Sequence, residues 1–185
     1  MSLSLFEESV PMTDDAPPDV ATLARVYGRL VFQAAYRVLG EASLAEDVQQ
    51  DVFVRLLEKP PTDVASWPAY LSTLAVRQAI DRLRRRQRWR RLLPVWRASA
   101  PAAFDSTEHD AVQAERALRL RAALAALKPR EAECFSLRFL QGMEIGQVGD
   151  ALAMTPNHVS VCLHRATRAL EASLGDARMT APEVL

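Results

Sequence analysis

Cysteine is almost missing from this chain of 185 residues: Cys134 and Cys162 are the only two. They lie 28 positions apart, form no C-x-x-C pair, and have only His109, His158 and His164 as further soft donors. No metal-site spacing follows, and the pattern predicts two reduced thiols within helices rather than a disulfide framework. Long apolar runs are also missing, none approaching the ~18 residues that span a bilayer, so no membrane insertion is expected. The start, MSLSLFEESVPMTDDAPPD, has neither a basic segment nor an apolar stretch, so it does not read as a signal peptide. Gly-rich phosphate loops, H-E-x-x-H and G-x-S-x-G are absent. The paired acids Glu7-Glu8 and Asp14-Asp15 sit where little apolar material could surround them and tune a pKa. The expectation is a protein with no catalytic residues, no metal and no cofactor. Aromatics are few (6%) and β-branched residues do not cluster, which leans toward an all-α fold.

Lysine is scarce too. Of 23 basic residues only Lys59 and Lys128 are lysines, and the rest are arginine, the better bidentate partner for phosphate. The formal net charge is zero, but charge is unevenly spread. Residues 1–20 hold Glu7, Glu8, Asp14, Asp15 and Asp19 without one base. Residues 77–97 hold nine arginines against Asp81.

Periodicity divides the chain. Residues 1–19 read as a disordered acidic tail. A helix is predicted from Val20 to Leu39, stopped by Gly40, with Leu23, Val26, Tyr27, Leu30, Val31, Ala34 and Val38 on one face. A second begins at Ser43, whose spacing to Glu46 fits a capping box, and buries Leu44, Val48, Val52, Leu56 and Leu57 before Pro60-Pro61 ends it. A short loop leads to a third helix, capped by Ser66 with Pro68 early, that runs into the arginine stretch. Residues 93–112 lose the periodicity and read as a linker, long enough to be functional or mobile. Helical pattern resumes at about 110–127, 129–141, 144–153 and 156–174, and residues 176–185 read as a loose tail. The chain thus divides into 1–19, 20–92, 93–112, 113–175 and 176–185.

Three segments carry chemistry. Residues 144–168 pair a short helix (Ile145, Val148, Leu152 inward) with a longer one (Val159, Leu163, Ala166 inward) across a tight turn at Ala153-Met154-Thr155. Gly149 is small where the helices cross. This is helix-turn-helix spacing, although a plain αα-hairpin has a similar outline. A DNA-reading second helix starts from Thr155 and turns Asn157, His158, Ser160 and Val161 outward, followed by His164, Arg165 and Arg168. The stretch RLRRRQRWRR (82–91) concentrates charge around Trp89, as a nucleic-acid backbone site requires, or stands as a solvated charge run. On the second helix Asp47, Gln50, Asp51 and Val54 share a face beside Arg55. Alone, that face reads as ordinary wet helix surface.

Taken together these stretches resemble the extracytoplasmic-function (ECF) sigma factors of the sigma-70 family. AEDVQQDVFVRLL (45–57) is similar to the family's A-E-D-x-x-Q-E/D-x-F-x-R-L. YLSTLAVRQAIDRLRRR (70–86) resembles W-L-x-x-I-A-x-N-x-x-x-D-x-x-R-R. LKPREAECFSLRFL (127–140) resembles L-P-x-R-x-R-x-x-F-x-L-R-Y ahead of the helix-turn-helix. Their order, with a linker between, is more specific than any one of them.

The resemblance implies two small helical domains joined by a flexible linker: sigma region 2 at 20–92 and sigma region 4 at 113–175. It implies a promoter-specificity factor, not an enzyme, that binds core RNA polymerase through Asp47, Gln50, Asp51, Val54 and Arg55, docked on the clamp helices of the largest subunit. Tyr70, Thr73, Arg77, Arg84, Arg85 and Arg88 would serve the −10 element, helping to melt it and hold an extruded base. The helix from Thr155 would read the −35 element. An anti-sigma factor, in this family often at the inner membrane, would control a cytoplasmic protein engaged in a stress, envelope or nutrient response. The chain departs from the family pattern at Tyr70 (commonly Trp), Val76-Arg77 (commonly Arg-Asn) and Ala153 (commonly Gly). Ser160 and Cys162 stand where Lys or Arg is frequent, which predicts the loss of two basic contacts and a weaker or unusual −35 contact. A stand-alone helix-turn-helix regulator is the alternative, but it leaves the polar face at 47–51 without a use.

Overall fold

The computed structural model describes residues 19–92 and 108–175. The acidic segment up to residue 18, residues 93–107 of the expected linker and the tail from 176 lie outside the described residues. Among those described there are seven α-helices and no strand.

Helix α1 spans Val20–Leu39. Asp19, assigned above to the tail, is its N-cap: its carboxylate accepts from the Thr22 amide at 2.6 Å. The hydrogen bonds from Thr22 hold that carboxyl below its ordinary range. Gly40 ends α1 with φ 69°, donating its N–H to Tyr36 at 2.7 Å. Helix α2 (Ala42–Glu58) follows after two intervening residues, Gly40 and Glu41. The capping box expected at Ser43 does not form. Glu41 is the N-cap, without a capping side-chain bond, and the Ser43 hydroxyl instead donates to the Glu41 carboxylate at 3.3 Å. Helix α3 runs Trp67–Leu92, with the Ser66 hydroxyl accepting from the Ala69 amide at 3.5 Å.

These three helices form the first module. Val31, Val38, Val48, Val52, Leu56, Leu71 and Ile80 are almost fully buried between them. Two expected core residues face out: Leu57 is 67% exposed and Val26 39%, and Ala45 is buried instead. Neighbours on a helix differ by about 100°, so with Leu56 inward Leu57 must turn away.

The second module holds α4 (Glu108–Ala126), α5 (Pro129–Phe135), α6 (Ile145–Leu152) and α7 (Pro156–Gly175). Helix α4 begins inside the stretch read as linker. Helix α5 widens into one π turn, Ser136–Leu140, closed by the Gln141 amide on the Ser136 carbonyl at 3.0 Å. Helix α6 has a reciprocal capping box between Glu144 and Gln147. It ends on Ala153 at φ 53°, a left-handed position that costs an L side chain about 1 kcal/mol or more. Ala153→Gly should therefore raise the unfolding midpoint by a few degrees in a thermal circular-dichroism melt. An unchanged or lowered midpoint would show that this strain is not felt.

The modules share one continuous apolar cluster, and polar contacts reinforce the seam. The Gln141 amide, buried, donates to the Ala34 carbonyl at 3.3 Å. Arg37 of α1 donates to the Leu140 carbonyl at 3.0 Å and to the Gln141 side-chain oxygen at 3.3 Å. The Arg121 guanidinium from α4 lies over Gly40, where any Cβ would collide with it.

Candidate functional site

Three faces carry the residues singled out above. On α2, Asp47, Gln50, Asp51, Val54 and Arg55 are all exposed, Val54 by 50%. Positions 47 and 51 are one turn apart, so both carboxylates stand side by side. Arg82 of α3 forks between them, Nη1 to Asp47 at 2.9 Å and Nη2 to Asp51 at 2.6 Å. Burial by itself would lower the Arg82 guanidinium pKa, but the hydrogen bonds to Asp51 and Asp47 outweigh it and raise it. Exposed ion pairs of this kind add little stability. Their effect is to fix two carboxylates in one orientation. In the sequence Arg82 is one member of the arginine run; the i, i+4 acidic pair is the signal that a forked partner lies opposite.

The second face lies on α3. Tyr70 is half-buried, edge-on to Trp67 at 6.1 Å. It lines a cleft of about 360 Å³ between the 63–66 loop and Met143, Gln147 and Asp150 of the second module. Thr73 does not reach the surface: it is 4% exposed and its hydroxyl donates to the Ala69 carbonyl at 2.8 Å. Arg77 pairs with Glu133 of α5 at 3.4 Å. Arg84 donates to the carbonyls of Ala125 and Leu127 at 3.4 and 2.8 Å. Arg85 and Arg88 are exposed. The arginine run is thus only partly solvated, since Arg82, Arg84 and Arg86 each bind an acceptor elsewhere in the fold.

The third face is the outer side of α7. Asn157, His158, Ser160, Val161, His164, Arg165 and Arg168 are exposed along it. Thr155 caps the helix, its hydroxyl accepting from the His158 amide at 3.3 Å. The Ser160 hydroxyl donates back to the Pro156 carbonyl at 3.0 Å. Cys162 departs from its expected outward placement. It is 4% exposed and points into the core, so its position never offered an outward basic contact.

Cys162 instead meets Cys134 of α5. Burial first, and then the neighbouring Cys162 thiol, push the Cys134 thiol up to about 12. A thiol held neutral and covered is a poor nucleophile. Both cysteines should stay unreactive toward an aromatic disulfide reagent at pH 8 and react fully only after denaturation. Rapid labelling of either in the folded chain would contradict this packing. Among the described residues no cluster of His, Cys, Asp and Glu could hold a metal ion, and no helix is long and apolar enough to cross a membrane.

Known proteins share this arrangement. Sigma-70 region 2 matches residues 23–89, taking in most of α1 to α3. Sigma-70, region 4 matches residues 123–172, from the end of α4 into α7. The chain belongs to the sigma-70 family. Its curated relatives place this sigma factor in the ECF group. It is 29% identical to the ECF RNA polymerase sigma factor SigK of Mycolicibacterium vanbaalenii, over 84% of this chain and 79% of the relative. It is 24% identical to the ECF sigma factor BldN of Streptomyces coelicolor, over 81% of this chain but 58% of that longer protein. Two solved structures share the fold. One is CnrH in complex with the cytosolic domain of CnrY (TM-score 0.53, 19% identity, 85% of this chain and 88% of that one). The other is the sigma factor RpoE with the anti-sigma factor NepR from Bartonella quintana (TM-score 0.50, 17% identity, 84% and 96%). A sigma factor is a transcription-initiation factor rather than an enzyme, and it directs initiation from chosen promoters.

Proposed function

We propose that this sigma factor docks on the clamp helices of the largest polymerase subunit through the α2 face, and carries promoter specificity on α3 and α7. The observation that bears most weight is the exposed Asp47–Asp51 pair held by Arg82. It is a fixed acidic patch beside an amide and an apolar side chain, a composition suited to a basic helical partner. The 63–66 loop with Tyr70, and the basic face with Arg77, Arg84, Arg85 and Arg88, would take the −10 element. The exposed side of α7 would read the −35 element as duplex. Ser160 gives its hydroxyl to its own helix, so the charged contacts there fall to His164, Arg165 and Arg168.

The similar fold of the sigma factor RpoE, solved with the anti-sigma factor NepR, supports control by an anti-sigma factor, with the sigma factor itself working in the cytoplasm. A stress, envelope or nutrient signal acting through that partner fits the ECF grouping.

The chain should co-purify with core RNA polymerase and, with it, transcribe its cognate promoter. Arg165→Ala should lower that transcription about tenfold, the usual cost of one lost base or phosphate contact from arginine. Transcription equal to the parent's would remove Arg165 from the promoter interface. A protein that ignores core polymerase and footprints a palindrome by itself would instead favour a stand-alone regulator.

A further inference from the structure

The outward line of α7 follows from its buried one. Val159, Leu163, Ala166 and Leu170 pack inward. At about 100° per residue, the side facing directly away from them carries Asn157, Val161, His164 and Arg168. All four are exposed. Three are polar. Val161 is not, yet it is 38% exposed at the second position of that line. The hydroxyls beside it are committed elsewhere: Thr155 accepts from the His158 amide at 3.3 Å and Ser160 donates to the Pro156 carbonyl at 3.0 Å. A single exposed valine on a solvated helix needs no explanation. A valine set against base edges does. Over guanine, cytosine or adenine it would strip water from donors and acceptors without bonding them, which costs free energy. The apolar group that the major groove offers is the 5-methyl of thymine. Valine also suits that contact by its stiffness. Its β-branch holds largely one χ1 rotamer in a helix, so both methyls keep fixed places.

We propose that Val161 selects a thymine in the −35 element by packing its methyls against the thymine 5-methyl group. The proposal rests on the assignment of α7 to the −35 duplex made above, and names the part of the duplex that is read. Asn157 sets the register. It lies one turn earlier, nearer the helix N-terminus that enters the groove, and a side-chain amide pairs with N6 and N7 of adenine. Four residues rise about 6 Å along a helix, close to two base-pair steps of about 3.4 Å. The adenine read by Asn157 therefore lies within two base pairs of the thymine read by Val161. Two neighbouring positions of the outward line thus both call for A·T pairs, each through a different group.

The decisive change is made in the DNA, with the full chain bound to core polymerase and its cognate promoter located from its start sites. Each thymine of the −35 element, on either strand, is replaced in turn by deoxyuridine, which lacks only the methyl group. One replacement should lower the affinity of the holoenzyme about fourfold, or ~0.8 kcal/mol, the scale of one buried methylene. Val161→Ser should bind the unmodified promoter about fourfold more weakly, and the same deoxyuridine should then cost it nothing further. Far-UV circular dichroism reports whether this variant keeps its helices. Replacing an adenine within two base pairs by 7-deazaadenine, which lacks N7, should cost the parent about tenfold and Asn157→Ala nothing. A −35 element without thymine overturns the role of Val161. So do thymines that all tolerate deoxyuridine, and equal deoxyuridine sensitivity in the parent and Val161→Ser. A 7-deazaadenine effect that survives in Asn157→Ala overturns the register. Failure of the −35 assignment itself shows differently: scrambling the whole −35 segment would then leave holoenzyme affinity unchanged.

Discussion

Asp51→Arg should weaken binding to core RNA polymerase by at least about tenfold while leaving the helical fold in place. The two halves of that statement have separate causes. In the fold, Asp51 is exposed and gives up one 2.6 Å ion pair with Arg82; such pairs contribute ~1 kcal/mol or less, and Arg82 keeps its bond to Asp47 at 2.9 Å. At the proposed interface the substitution turns an acid into a base against a basic partner, and like charges brought together there cost several kcal/mol. Competition against the parent chain for core polymerase measures the first, and a thermal melt the second. Equal affinity would remove α2 from the polymerase interface. Gln50→Ala, which changes no charge, should act in the same direction with a smaller effect.

Gly149→Val should destabilise the second module by about 3 kcal/mol or more. A Cβ at Gly149 would stand 2.7 Å from the Met154 carbonyl oxygen, and that atom is backbone. It cannot move alone, because the Met154 amide donates to the Gly149 carbonyl at 2.8 Å and Ala153 between them is already left-handed. Overpacking of this kind costs ~1–3 kcal/mol, and the opened turn risks the hydrogen bond as well. Against a typical total of roughly 5–15 kcal/mol the loss is large. Thermal unfolding should begin many degrees lower and, in a promoter assay, −35-dependent activity should fall with it. A melt that superimposes on the parent's would mean that α6 and α7 do not meet as closely as this turn requires.

Local features of the sequence carried much of the fold. Gly40, Pro129 and the Thr155-Pro156 pair marked helix boundaries because each has a backbone reason to sit there. Apolar spacing identified most of the core, and failed where two apolar neighbours, Leu56 and Leu57, competed for one direction. Gly149 was legible as a close approach, though what it approaches is the carbonyl of the turn. The seam between modules was not legible. Arg37 and Leu140 lie 103 positions apart, and nothing in local periodicity marks two residues for each other at that distance. Glu133 and Gln141 therefore stand in the sequence only as polar positions of the predicted 129–141 helix, and Cys162 as an outward position. The arginine run misled in the same way: its charge was visible, but not that Arg82, Arg84 and Arg86 would be bound within the chain.

The three faces follow one physical logic. Acids paired by Arg82 present a fixed patch on α2, Arg85 and Arg88 stand exposed on α3, and α7 holds its polar tips clear of the core. Run-off transcription with core polymerase on genomic fragments, with start sites read by sequencing, tests that logic most directly. Defined start sites that appear only when the chain is added, preceded by a shared pair of −35 and −10 elements, are the predicted result. Start sites identical with and without the chain would contradict it.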